Sequence, residues 1–367
     1  MILHLLTDEK FTDYAIEQFS APEMMSEFVL VPSNNMMEHV KLIDHCTIIR
    51  QNSKEFKELL TRLGQYSGIV LHGLFWGKWQ QPILERVPDN VKVAWHFWGG
   101  DIYARRGVEK QFLAPLTKFV CNIRSFTKKQ ITDNAWEISY PLFHKIDYCL
   151  TSIREEYEFA IKYTQAPIKF LWYTCYNLED TIGQLIEAKS GGCNIMIGNS
   201  AAEWNNHLDI FWHLIQSRIY HRPDYNKIII PLSYGSQWVK NIVSQIGKIL
   251  FGNRLQVLDT FIPRDNYNAL MLSCSTMIIG YYEPAAQGNI ITALWLGMRV
   301  YLSEKSMTFH FFKRIGVLVF SMESELKIYR NKRLSESEIS INKKILTNWY
   351  GKKHVMEAIQ DVVKALQ

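Results

Sequence analysis

Short apolar runs of three to five residues recur along this chain, and most stop at a glycine or a small polar residue before helical spacing takes over. In the first half the runs are Ile2–Leu6, Phe28–Val31, Cys46–Ile49, Ile69–Leu71, Val91–Trp95, Tyr148–Leu150 and Lys169–Trp172. In the second they are Asn194–Ile197, Lys227–Ile230, Leu255–Leu258, Thr276–Gly280, Arg299–Leu302 and Gly316–Phe320. Helical spacing fills Thr12–Phe19, Lys54–Leu63, Ile153–Tyr163, Asn206–Ile219, Trp238–Leu250, Arg264–Ser273 and Ile290–Trp295. An unbroken apolar run of this length suits a strand buried on both faces. Strands alternating with helices imply right-handed βαβ units and parallel sheets, so the pattern predicts a doubly wound α/β architecture.

At 367 residues the chain suits two domains. The apolar rhythm lapses around Asn177–Asp180 and resumes after Gly191-Gly192, which sets expected domains at 1–176 and 190–350. The tail, 353–367, has Val355, Ile359, Val362, Val363 and Leu366 at helical spacing. A net charge of +5 gives no indication of nucleic-acid binding and fits anionic small ligands or an anionic membrane surface. No apolar run approaches the ~20 residues of a membrane span. The N-terminus MILHLLTDEK lacks a basic leader and reads as a buried strand rather than a signal peptide. Six scattered cysteines without metal spacing read as reduced thiols of a cytoplasmic protein.

In doubly wound sheets, ligands bind beyond the carboxyl ends of the strands. The polar motifs of this chain follow the apolar runs at those positions. Gly198-Asn199-Ser200 follows one run and precedes a helix, a geometry that turns free backbone N–H groups toward an anion. Ser200 and Asn206 add side-chain donors, His207 sits one residue deeper in the helix start beside the donor, and Asn205 or Asn206 alternatively serves as an ordinary helix cap. Glu283 to Asn289 forms a second such turn, with Glu283 suited to a ribose or sugar hydroxyl and Gln287, Gly288 and Asn289 to phosphate or sugar. Tyr234, in Pro231–Gly235, is expected near the base or ribose of a nucleotide.

In the first half, His72-Gly73 and His96-Phe97-Trp98-Gly99-Gly100-Asp101 follow their strands. Either Asp101 or His96 suits a general base at an acceptor hydroxyl, with His96 alternatively a donor to phosphate. The bland readings are a helix cap for Asp101 and a satisfied buried imidazole for His96. His72, Gly73, Trp98, Gly99, Gly100 and Arg105 are expected around the acceptor. Arg106 and Lys110 extend a basic run that fits a lipid pyrophosphate or a solvated helix face. Lys128, Lys129 and Trp136 mark a stretch suited in part to a membrane interface. Dispersed histidines and the lack of a D-x-D element predict a metal-independent enzyme without a cofactor, its leaving group stabilised by helix termini and basic side chains.

Together these motifs resemble glycosyltransferase family 56, the TDP-N-acetylfucosamine:lipid II N-acetylfucosaminyltransferases of enterobacterial common antigen synthesis. The matching pieces are His72-Gly73, His96 to Tyr103, Ile197 to Ser200 with Asn206-His207, Pro231 to Gly235, and Tyr281 to Gly288 into Leu296-Gly297. They keep the family's order over roughly residues 70 to 310. The chain departs from the family pattern between Lys110 and Tyr148 and at Glu283-Pro284-Ala285. The resemblance implies a GT-B fold of two Rossmann-like domains facing a cleft, with the tail helix returning to the first domain. It also implies a nucleotide-diphosphate sugar, TDP-Fuc4NAc, held by the second domain. The acceptor would be a lipid-linked saccharide, met at the cytoplasmic face of a bacterial inner membrane. A sugar-nucleotide epimerase or hydrolase, and a non-catalytic nucleotide-sugar-binding partner of a polysaccharide assembly complex, are the alternatives.

Overall fold

A computed structural model describes residues 1–32, 37–74, 79–105, 107–127, 140–218, 227–329 and 333–367, without the side chains of 125–127 and 329. The chain divides into two compact units. The first comprises Met1–Val108, Thr132–Asn177 and Lys352–Gln367, and the second Glu109–Ile131 and Leu178–Gly351.

The first unit carries a sheet of seven strands: β1 (Ile2–Leu6), β2 (Ser26–Leu30), β3 (Thr47–Ile48), β4 (Gly68–His72), β5 (Lys92–His96), β6 (Tyr148–Thr151) and β7 (Lys169–Trp172). Their spatial order is β3-β2-β1-β4-β5-β6-β7, with parallel pairing throughout. Every residue of β1 and β4 is buried, which explains why their sequences show no alternation. The tail forms a helix, Lys352–Leu366. Its apolar stripe, Val355, Ile359, Val362, Val363 and Leu366, joins a core with Leu6, Leu30, Val70 and Ala94. Gly68 permits this packing. A Cβ at Gly68 would lie 2.6 Å from the Leu366 Cβ, closer than two carbons can approach.

The second unit repeats the plan with β8 (Asn194–Ile197), β9 (Ile228–Pro231), β10 (Leu255–Leu258), β11 (Cys274–Ile279), β12 (Arg299–Leu302) and β13 (Phe320–Ser321). The order is β10-β9-β8-β11-β12-β13, again parallel. In both sheets the order reverses beside the first strand of the unit. These are the β1/β4 and β8/β11 switch points, where the loops leaving adjacent strands diverge and open a crevice.

Three sequence expectations change. Residues 109–131, read with the first domain, belong to the second unit. The reason is local: the Asp209 carboxylate accepts from the Leu116 and Thr117 amides and the Thr117 hydroxyl, at 2.7 to 2.9 Å, and so caps the helix Pro115–Thr127. Gly316–Phe320 is not one strand. Gly316 ends the helix Met307–Ile315 in a left-handed conformation, and the Asn342 side chain pairs the Leu318 backbone in place of a sheet neighbour. The helix expected over Asn206–Ile219 spans His207–Ser217, because Asn206 is itself left-handed at φ 52°. Ile219 lies outside the described residues.

Candidate active site

At the second switch point three loops are sewn together. The loop leaving β8 begins at Gly198, whose φ of +63° and N–H bond to the Ile278 carbonyl (2.9 Å) turn the chain away from the sheet. A side chain there would collide with the Asn205 amide at 2.7 Å and the His207 ring at 2.8 Å, so this turn needs glycine. The Ser200 and Tyr281 hydroxyls, 2.9 Å apart, tie the β8 loop to the one leaving β11. Asn199 Nδ2 donates to the Tyr234 hydroxyl (2.9 Å), and Ala201 bridges to Gly235, tying it to the loop leaving β9. Tyr234 is 55% exposed above this junction.

The loop leaving β11 carries the buried Glu283 and enters the helix Gln287–Trp295 through Ala286, left-handed at φ 57°, with no side-chain cap. Gly288 and Asn289 sit in its first turn, and Ala286, the residue that enters the helix, supplies no side-chain cap, an arrangement that suits an anion seat. Gln287 donates to the Thr308 hydroxyl (2.8 Å), and its Oε1 is buried without a partner.

Two of the residues expected at the donor have other work here. Asn206 is fully buried. Its Oδ1 accepts from the Ala114 amide at 2.8 Å, and its Nδ2 donates to the carbonyls of Phe112, Trp204 and Gly280. Its amide hydrogens and its carbonyl oxygen are both turned to holding the loops, so it is a clamp rather than a ligand contact. His207 is buried behind Gly198 with neither ring nitrogen partnered, and burial lowers it to about 3, so it stays neutral.

In the first unit, Asp101 organises the loop after β5. Its carboxylate, 2% exposed, accepts from the Leu74 amide (2.8 Å), the Trp95 indole (2.7 Å) and the Trp98 amide (3.1 Å). Burial lifts it to about 6 in spite of these bonds. That value suits a base, but both oxygens face inward and are occupied, so in this geometry Asp101 positions the loop. Arg105 is also inward: it is buried, donates to the Asp101 carbonyl (2.7 Å) and lies over the Phe143 ring. Gly73 donates to the His96 carbonyl (3.1 Å), joining the β4 and β5 exits, and Gly99 at φ +81° starts the short helix Gly100–Tyr103.

Behind this loop runs a row of rings that sequence reasoning only half found. His72 and His96 are register partners on β4 and β5, with Nδ1 atoms 3.3 Å apart. His4 on β1 places Nδ1 3.2 Å from His72 Nε2, and the Trp98 indole donates to His96 Nδ1 at 2.7 Å. Burial lowers His72 to about 3 and holds His4 and His96 well below the ordinary histidine value, so all three are neutral. Arg106, Lys128, Lys129 and Trp136 lie outside the described residues. Lys110 is exposed, in the second unit.

The profile of the family described as 4-alpha-L-fucosyltransferase, glycosyl transferase group 56, matches residues 7–305. The chain belongs to glycosyltransferase group 56. No curated protein matches the sequence. Solved structures share the fold at low identity. A glycosyltransferase from Rickettsia africae has a TM-score of 0.62 at 11% identity, covering 100% of this chain and 98% of that one. A sucrose-phosphate synthase from Thermosynechococcus elongatus has 0.61 at 10%, with coverages of 100% and 98%. An Anabaena protein crystallised with UDP and glucose has 0.58 at 12%, with the same coverages. The fold is GT-B, and the protein is a glycosyltransferase.

Within this group 56 enzyme, sequence reasoning missed His4, gave Tyr281 no role of its own, and read Asn205 only as a candidate helix cap. His4 was one polar residue inside an apolar strand, and only the strand order brings it to His72. Tyr281 pairs its hydroxyl with that of Ser200, and Asn205 donates to the Ser200 carbonyl, contacts between loops that no local pattern shows. All six cysteines are free. Among the described residues no helix is long and apolar enough to cross a membrane, and no three His, Cys, Asp or Glu side chains gather as a metal site.

Proposed function

We propose that this group 56 enzyme transfers an N-acetylated deoxy sugar from a nucleotide diphosphate, TDP-Fuc4NAc, to a lipid-linked saccharide at a membrane surface during bacterial surface-polysaccharide synthesis. The observation that carries the proposal is the junction at the β8/β11 switch point. There the Gly198–Ser200 turn and the helix start at Gln287–Asn289 follow adjacent strands and are joined by the Ser200–Tyr281 bond. A diphosphate is the ligand such paired turns favour. The donor is held by Gly198, Asn199, Ser200, Gln287, Gly288 and Asn289, with Tyr234 and Glu283 at the nucleoside or sugar. His207 supports Gly198 from behind. In the first unit Gly73, Trp98, Gly99 and Gly100 form the acceptor side, held in shape by Asp101 and Arg105, while His72, expected there from sequence, is fully buried behind them with both ring nitrogens engaged by His4 and His96.

The leaving diphosphate gains negative charge as the glycosidic bond breaks. Helix-start amides already pointing at it stabilise that charge without reorganising, and the scheme needs no metal. Thermal shift tests the donor assignment. A ligand at 100 times its Kd stabilises the fold by about 2.7 kcal/mol. TDP should raise the melting temperature more than GDP, and Gln287→Ala should reduce the shift while leaving the unliganded melting temperature close to wild type. No shift with any nucleoside diphosphate contradicts the assignment.

A further inference from the structure

The row His4, His72, His96, Trp98 has a direction, and one residue sets it. An indole nitrogen only donates. Trp98 Nε1 donates to His96 Nδ1 at 2.7 Å, so Nδ1 of His96 carries no hydrogen and the neutral ring must carry it on Nε2. His72 Nδ1 lies 3.3 Å from that same lone pair and must be the protonated nitrogen of its ring, since two facing lone pairs repel. His72 Nε2 is then an acceptor, and His4 Nδ1, at 3.2 Å, is its donor. The chain ends at His4 Nε2 as a bare lone pair. That atom is buried and has no partner, set among the rings of Phe19 and Phe28 at 4.5 and 5.0 Å. The opposite direction would press an N–H of His96 against the Trp98 N–H and strand a buried donor at His4.

We propose that His96 serves the transfer reaction as a hydrogen-bond donor through Nε2–H, and that Trp98, backed by His72 and His4, is the positioning set that holds it in this tautomer. The proposal rests on the glycosyl-transfer reading above, and it chooses between the two roles open to His96 in the sequence. A ring whose Nδ1 is occupied and whose Nε2 carries hydrogen has no lone pair to accept a proton. It can hold an oxygen of the substrate, either phosphate or sugar hydroxyl. The described hydrogen bonds of the His96 ring all use Nδ1. The ring is clamped edge-on by Tyr173, with centroids 4.7 Å apart, so the N–H direction is set before any ligand arrives.

Nitrogen NMR of the ligand-free full chain reads the tautomer directly. The expected result is His96 with Nδ1 unprotonated and Nε2 protonated from about pH 6 to 8, and a mixed signal in Trp98→Phe. A protonated Nδ1 in the wild type overturns the proposal whatever the enzyme does. TDP and a short-prenyl pyrophosphoryl saccharide are then added separately, and the one that moves the Nε2–H signal identifies the oxygen it meets. If saturating amounts of neither move it, the donor role is overturned. In turnover, His96→Ala should lower kcat/KM by about 10²–10³-fold, as loss of one preorganised donor does elsewhere. His96→Gln keeps an amide N–H near the Nε2 position and should recover most of that loss. A folded His96→Gln as inactive as His96→Ala contradicts the donor role. A wild type with the expected tautomer but no sugar transfer would instead sink the functional reading and leave the tautomer standing.

Discussion

At the residue scale, Asp101 and Glu156 show how burial sets what a carboxyl can do. In Asp101→Asn one oxygen becomes an NH2 group facing donors from Leu74, Trp95 and Trp98, so one of those bonds is replaced by a clash of hydrogens. The expected cost is about 1–3 kcal/mol, read by chemical denaturation. If stability is unchanged and kcat instead falls about 10²-fold or more, Asp101 is the catalytic base and not a loop organiser. Glu156 accepts from the Tyr103 hydroxyl (3.1 Å) and is paired with the Thr151 hydroxyl, yet burial lifts it to about 8. A glutamate in the unfolded chain titrates near about 4.3. The folded protein therefore keeps a proton that the unfolded chain has lost. The resulting stability is full below about pH 4 and disappears as pH rises through about 8. Denaturation midpoints should fall from pH 6 to 9 in the wild type, and more shallowly in Glu156→Gln. Equal slopes would contradict the buried neutral carboxyl.

At the element scale, the strands and the tail helix were legible because buried parallel strands and amphipathic helices write themselves as local patterns. Ile359, fully buried in the tail helix, illustrates the energetics. Ile359→Ala should cost about 2–5 kcal/mol, measured by urea denaturation, and a cost under about 1 kcal/mol would mean the helix does not share the first unit's core. The helix Glu336–Tyr350 was also legible but was passed over: Ser335 and Glu338 form a reciprocal capping box, an S-x-x-E signal in the sequence. What could not be read locally was the work of single side chains across long separations. Asn206 looks like a ligand contact from its neighbours, and only its bonds to Phe112, Ala114 and Gly280 make it a clamp. Asp209 looks like a routine helical acid until it caps Pro115–Thr127 and draws that segment into the second unit. The histidine row needed the order β1-β4-β5, in which strands far apart in sequence become neighbours.

At the scale of the whole molecule, the same sheet order is built twice and then used differently. The first unit lines its strand ends with rings and a carboxylate turned inward, and the second lines its β8/β11 crevice with a glycine turn and a helix start. The proposed function gives the first unit to the acceptor and the second to the nucleotide sugar. The most direct test is transfer by the purified full chain from TDP-Fuc4NAc to a lipid-linked saccharide, followed by mass spectrometry of the product and of released TDP, with and without EDTA. The account predicts stoichiometric product and TDP, unaffected by the chelator. Release of TDP without product, or no turnover with TDP-, UDP- or GDP-sugars across a panel of lipid-linked acceptors, would contradict it.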